Sequence, residues 1–302
     1  MNRQRQLIVG PGALGRLLAM HLAGQVPVTL LGRRPLPTEL TLITPQGEHR
    51  PRVVASLTAT ELAPTSPLVV HLATKAYAAE SAFAAIADRL DPATPLVLWQ
   101  NGYGVQEMLT RRWSGPVLCA TTTEGAYTQG DAGVVHAGHG QTALGHLEGR
   151  YADLADGLAA TLTAAGLSCH AVDDIRIRLW HKLAVNAAIN PLVAHWRIRN
   201  GQLRDRPFRP MVETIIAEVA MIMAREGIPE PLDGWHGLVW KVIEGTADNR
   251  ASMLQDVLTG RPTEHDAILG PLLDAARRHG LTVPCLTALT PTPGQPPRTP
   301  GS

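Results

Sequence analysis

The chain has 302 residues and a mass of 32.3 kDa, room for two ordinary domains. An apolar fraction of 45% supports real cores, and 18% charged residues, against ~25% in an average soluble chain, exclude disorder as the main state. A net charge of +1 and 4% aromatics exclude a general electrostatic hold on nucleic acid or anionic membrane and a stacking surface for single strands.

At the start of the chain, Arg3 and Arg5 precede an apolar run, as in a signal peptide. Gly10-Pro11-Gly12 and Arg16 break that run, so it is expected to be fold rather than address. Up to about residue 145, short buried strands are predicted at Leu7–Val9, Val26–Leu31, Leu68–Leu72, Leu96–Trp99 and Val117–Ala120, with helices such as Ala13–Ala23 and Ala78–Leu90 between them. Such alternation implies a parallel sheet covered by helices on both faces. The runs beginning at Gly133 and Gln141 read as an antiparallel hairpin. Beyond Cys169–Val172 only helices are expected: Ile175–Trp196, Phe208–Glu226, Leu238–Gly245, Ser252–Leu258 and Glu264–His279. The boundaries are therefore 1–172 for an α/β domain, 173–289 for a helical domain and 290–302 for a proline-rich, disordered tail. No stretch has ~18 uncharged apolar residues, so nothing is expected to span a membrane. The three scattered cysteines, Cys119, Cys169 and Cys285, fit a reducing cytoplasm.

Gly10-Pro11-Gly12-Ala13-Leu14-Gly15 carries the GxGxxG spacing between a strand and a helix. Such a turn lets a pyrophosphate approach the backbone and meet the free N–H groups of a helix N-terminus. After the second strand, a carboxylate would suit the ribose hydroxyls of NAD, but Gly32-Arg33-Arg34 stands there. Two guanidiniums suit a 2′-phosphate, so the expected cofactor is NADP(H). Lys182, Asn186 and Asn190 lie four residues apart and drift only about 80° around a helix, forming one polar stripe. The rest of that helix is apolar, which predicts burial and a need for partners or a ligand; Pro191 is expected to kink it. Spacing alone reads Ser252 and Thr263 as helix N-caps, with Glu264 in the first turn after Thr263. His136 and His139, three apart in a predicted strand, should point to opposite faces, and no metal site is expected.

These pieces, together with Thr74-Lys75-Ala76-Tyr77, Gln100-Asn101-Gly102, Thr121-Thr122-Thr123, the run from Leu179 to Leu192, Asn200-Gly201, Ser252 to Asp256 and Arg261 to Glu264, resemble the 2-dehydropantoate 2-reductase (ketopantoate reductase) family across residues 7 to about 285. Variation shows at Pro11 in the glycine turn and at Glu124 after the threonines. The resemblance implies a Rossmann-type α/β domain followed by an all-helical domain of the 6-phosphogluconate dehydrogenase C-terminal kind, with the active site between them. It implies reduction of 2-dehydropantoate to pantoate with NADPH, in the route to pantothenate and coenzyme A. By position, Lys182 looks like the catalytic lysine, with Glu264 holding that ammonium or contacting the cofactor ribose. Asn101, Asn186, Asn190, Asn200 and Ser252 look like substrate contacts. Lys75, Asn101, Ala126 and Glu264 look like cofactor-side residues, beside the glycine turn (Gly10 to Gly15) and Arg33 or Arg34, of which Arg34 fits the register better. A reductase of another short 2-oxo or 3-oxo acid is the alternative, and a silent NADP(H)-binding sensor a third reading that has no use for the lysine–asparagine helix. The expected partner is a small 2-oxo acid, with no nucleic acid or membrane, for a cytoplasmic monomer or homodimer.

Overall fold

A computed structural model describes residues 4–63 and 68–290; the expected proline-rich tail, from Pro291 on, lies outside them. Contacts divide the chain into a unit made of Met1–Gln100 with Val105–Arg178 and a second made of Leu179–Ser302 with the short segment Asn101–Gly104. By contacts the division falls inside a helix, between Arg178 and Leu179. Its physical reason is Ile175, fully buried and packed where a side chain on Gly145 would stand, which ties the first turn of that helix to the α/β unit.

In the first unit, β1 (Arg5–Val9), α1 (Ala13–Leu22), β2 (Val28–Gly32), β3 (Glu39–Ile43), β4 (His49–Val53), β5 (Ala55–Thr58), β6 (Leu68–Leu72), α2 (Ala76–Ala87), β7 (Leu96–Leu98), α3 (Val105–Arg112), β8 (Val117–Thr122), β9 (Gly125–Gln129), β10 (Gly133–Gly138), β11 (Thr142–Gly145), α4 (Ala152–Ala164) and β12 (Cys169–Ala171) follow in order. The main sheet runs β12-β11-β8-β7-β6-β1-β2-β5, parallel from β5 through β8 and reversed at β11 and β12. From β1 the chain moves first to β2 on one side and later to β6 on the other, so the carboxyl ends of β1 and β6 flank a topological switch point, where open sheets of this kind bind ligands. β1, β6 and β7 are buried almost throughout because both faces are covered.

A second sheet, β4-β3-β10-β9, overturns the hairpin expectation. β10 pairs antiparallel with β9 and parallel with β3, whereas β11 joins the main sheet between β8 and β12. All four residues of β11 are buried, which demands sheet neighbours and cover on both faces, while β10 alternates buried and open positions. A bulge between His136 and Gly138 ends β10, and His139 lies past it. The alternation that would send His136 and His139 to opposite faces is therefore lost, and their rings meet edge to face at 4.7 Å.

α1 lies against β1 and β2 of one sheet and β3, β9 and β10 of the other, and its side chains from Leu17 to Met20 are sealed in the core. Arg16 on this helix is also buried. Its guanidinium donates from Nε to Pro11 O (2.9 Å) and from Nη1 to Gly130 O (2.8 Å) and Gly133 O (3.0 Å), clamping the glycine turn to the β9–β10 turn.

The second unit contains α5 (Ile175–Trp196) from Leu179 onward, a 3-10 turn at Asn200–Arg204, α6 (Arg209–Arg225), α7 (Gly234–Gly245), α8 (Ser252–Leu258), α9 (His265–Arg278) and α10 (Pro284–Ala288). Helical structure in α5 continues through Pro191 to Trp196. Leu183, Ala184, Ala187, Ala188, Ile189, Leu192 and Val193 are buried around it, as an all-round apolar helix requires. The buried carboxylate of Glu218 accepts the N–H groups of Cys285 and Leu286 at 2.8 Å each and so caps α10. Among the described residues no helix is long and apolar enough to cross a membrane.

Replacing Arg16 by methionine keeps the apolar stem and removes the clamp, leaving acceptors at Pro11, Gly130 and Gly133 short of a donor. We expect a loss of about 2–4 kcal/mol of unfolding free energy in urea titration; an unchanged midpoint would show that the clamp contributes nothing.

Candidate functional site

The glycine turn leaves β1 and opens α1. Gly10 has φ +102°, and a Cβ there would lie 2.7 Å from Thr74 N, so the turn passes against the end of β6. A Cβ on Gly15 would strike the Gly10 carbonyl, whereas one on Gly12 would meet open space. Gly12 occupies the N-cap of α1 without a side-chain cap, and the first turn carries no acidic residue. Pro11, Ala13 and Leu14 complete a turn whose accessible backbone and bare helix N-terminus fit a pyrophosphate. Nearby, at the carboxyl ends of β6 and β7, the buried Thr74 Oγ1 and Gln100 Oε1 have no partner among the described residues, although Gln100 Nε2 is anchored to Leu72 O at 2.8 Å. Buried orphan acceptors beside such a turn fit a bound polar ligand. Half-buried Lys75 stands at the N-cap of α2, and half-buried Ala126 on β9.

Arg33 and Arg34, past the end of β2, are both exposed. Arg34 Nη2 donates to Asp131 Oδ1 at 2.6 Å, and this pairing raises the arginine's pKa and lowers the aspartate's. An anion held by Arg34 would therefore share the guanidinium with a carboxylate. Asp131 went unnoticed in the sequence, since nothing in its spacing connects it to a residue 97 positions away.

In the helical unit, the stripe on α5 is present. Lys182 and Asn186 are half-buried and Asn190 is buried. Although Lys182 keeps some accessible surface, burial of its ammonium lowers its pKa to about 8, and the negative charge of Glu264 offsets part of that fall. Glu264 is itself buried; Asn101 Nδ2 donates to its Oε2 at 3.4 Å. Asn101 is brought there by its own segment, because Tyr103 N donates to Ala267 O (3.0 Å) on α9 and the Tyr103 ring lies 5.0 Å from that of Trp180 on α5. Lys182, Glu264 and Asn101 thus form one group within this unit.

Both cap readings fail. Ser252 is the first residue of α8 rather than its cap, is exposed, and makes no capping bond. Glu264, not Thr263, holds the N-cap position of α9, also without a side-chain capping bond. Asn200 is buried in the 3-10 turn; its Nδ2 donates to Thr246 Oγ1 at 2.9 Å while its buried Oδ1 has no partner among the described residues, an acceptor suited to a ligand hydroxyl.

The sequence matches the family described as ketopantoate reductase PanE/ApbA over residues 6–149 and that family's C-terminal domain over residues 174–292. A 2-dehydropantoate 2-reductase of Escherichia coli O157:H7 is 40% identical over 240 residues, which cover 78% of this chain and 76% of that protein. The 2-dehydropantoate 2-reductase of Vibrio cholerae is 36% identical over 287 residues, covering 94% of each. Among solved structures, 2-dehydropantoate 2-reductase from Geobacter metallireducens superposes with a TM-score of 0.85 at 25% identity, covering 94% of this chain and 97% of the other. With both of its halves matched in order, this chain belongs to the ketopantoate reductase family of nicotinamide-dinucleotide oxidoreductases.

Proposed function

We propose that this protein reduces 2-dehydropantoate to (R)-pantoate with NADPH. The observation that carries the reading is the Lys182 ammonium, whose pKa of about 8 lies close to neutral pH and which has the Glu264 carboxylate as its counter-charge. An acid of that strength is mostly protonated at pH 7 yet gives up its proton readily. A nicotinamide, when bound, would supply hydride to the ketone carbon. Lys182 hydrogen-bonds the ketone oxygen, offsets the negative charge that develops there, and delivers its proton to that oxygen. Glu264 keeps the ammonium charged and oriented. Asn186, Asn190 and Asn200 hold the substrate's hydroxyl side, Ser252 donates to its carboxylate, and Asn101 bridges the Glu264 side of the site. On the α/β unit, the backbone from Gly10 to Gly15 cradles the pyrophosphate, with Lys75 and Ala126 beside it.

Arg34, supported by Arg33, takes the 2′-phosphate and so selects NADPH over NADH; no carboxylate stands after β2 to prefer the free ribose hydroxyls. The two units divide the work, nucleotide on one and acid–base chemistry on the other. The partner is a small 2-oxo acid, and the protein works in the cytoplasm as a monomer or homodimer without nucleic acid or membrane.

Steady-state assays with NADPH and NADH on ketopantoate, 2-oxoisovalerate and oxaloacetate test cofactor and substrate together. Ketopantoate with NADPH is expected to give the highest kcat/KM by at least about tenfold. Preference for another acid would move the protein to a neighbouring reductase activity, and no turnover of any would leave a binding protein. In the same series, Asp131→Asn removes the carboxylate that shares Arg34, so NADPH should bind several-fold tighter with NADH unchanged; weaker NADPH binding would take Arg34 out of phosphate recognition. Lys182→Ala should lower kcat by about 10²–10⁴ with NADPH affinity near the parent's, and turnover at the parent rate would refute its role as acid.

A further inference from the structure

A cluster remote from this chemistry in sequence lies in the α/β unit, where β9 and β10 meet the end of α1. Glu124, just before β9, and His136, on β10, have side chains only 3% and 2% exposed, with His136 Nε2 2.7 Å from Glu124 Oε2. His139, past the bulge, is exposed and packs its ring edge to face on that of His136, centroids 4.7 Å apart. One potential ligand atom from each of the three falls within 4.8 Å of the others. From these positions we infer that Glu124, His136 and His139 form a binding site for a single divalent transition-metal ion of the zinc class.

Two imidazoles and one carboxylate are a donor set that zinc takes in four-coordinate sites, the fourth position going to water. Bonds of about 2.0–2.1 Å to a common ion place tetrahedral ligand atoms roughly 3.3 Å apart. The three side chains thus need only small rotations, outward for His136 and Glu124 and inward for His139. The exposed His139 leaves the ion a way in to two sealed ligands.

The surroundings supply a supporting layer. Gly140 N donates to Glu124 Oε2 at 2.9 Å and fixes that carboxylate. A Cβ on Gly140 would collide with the backbone of Thr123 and Glu124, so the segment carrying His139 is pressed against the segment carrying Glu124. His21, at the end of α1, stands edge-on to His136 with centroids 5.4 Å apart. Its Nδ1 lies 2.9 Å from Ala165 O, and its buried Nε2 has no partner among the described residues. A buried Glu124–His136 hydrogen bond by itself accounts for neither the second imidazole, His139, nor the partnerless nitrogen of the third, His21. An ion with a bound water accounts for both, the water donating to His21 Nε2.

The test is a cobalt(II) titration of the chelator-stripped full-length protein, read by visible d–d absorption, followed by zinc(II) displacement against a chromophoric chelator. One ion per chain is expected, with zinc raising Tm. His139→Ala, at an exposed position that the fold does not depend on, should weaken cobalt binding by at least about tenfold and abolish the zinc-dependent rise in Tm. Glu124→Gln, checked for folding by circular dichroism, should do the same. Parent protein that binds cobalt no better than His139→Ala, or stoichiometric binding that survives both substitutions, would overturn the site.

Discussion

The proposed chemistry rests on the cost of keeping one ammonium out of water. Lys182 is carried by a helix whose other faces are filled with leucine, isoleucine and alanine, and burial there favours the uncharged amine. Glu264 opposes that tendency. The balance leaves the pKa at about 8, low enough for ready proton transfer and high enough to retain the charge at neutral pH. Glu264 is itself a buried carboxylate needing donors, and Asn101 provides one because the Asn101–Gly104 segment is tied to α9 through Tyr103. Helix, carboxylate and loop segment are therefore one electrostatic arrangement, and none of the three is explicable alone.

The side proposed to hold the nucleotide has a different constraint. An accessible backbone turn must be stiff enough to present its N–H groups without a side chain to hold them. Arg16 supplies the stiffness from below, holding Pro11 O together with Gly130 O and Gly133 O. The turn it anchors also carries Asp131, the carboxylate on Arg34. The β9–β10 turn, more than a hundred residues from the glycine turn in sequence, thereby links the shape of that turn to the charge on Arg34 proposed to meet a 2′-phosphate.

Much of this was legible in advance, for identifiable reasons. The strands β1, β6, β7 and β8 and the helices α5 to α9 announce themselves because buried elements carry uninterrupted apolar runs or long helical periods. β4, His49–Val53, is exposed along its whole length and carries no such signal, so the second sheet could not be seen. The paired runs at Gly133 and Gln141 looked like a hairpin because proximity in sequence was the only available guide; the complete burial of β11 sent it elsewhere. One bulge after His136 reversed the inference about His139, since a single extra residue exchanges the faces of a strand. At the site, the four-residue spacing of Lys182, Asn186 and Asn190 was readable from helix geometry. The proximity of Glu264 and Asn101 was not, because it depends on tertiary packing, and local spacing favoured helix capping around Ser252 and Thr263 instead.

Direct titration of the ammonium is the sharpest test, and the composition makes it clean: the chain has only three lysines, Lys75, Lys182 and Lys241. With lysine labelled at the ε-carbon and nitrogen, NMR should show one side chain, absent from Lys182→Ala, titrating near pH 8, and the same signal titrating lower in Glu264→Gln, where the supporting charge is gone. If all three instead titrated together near the ordinary value of about 10.4, the desolvated, carboxylate-held acid at the centre of this account would be contradicted.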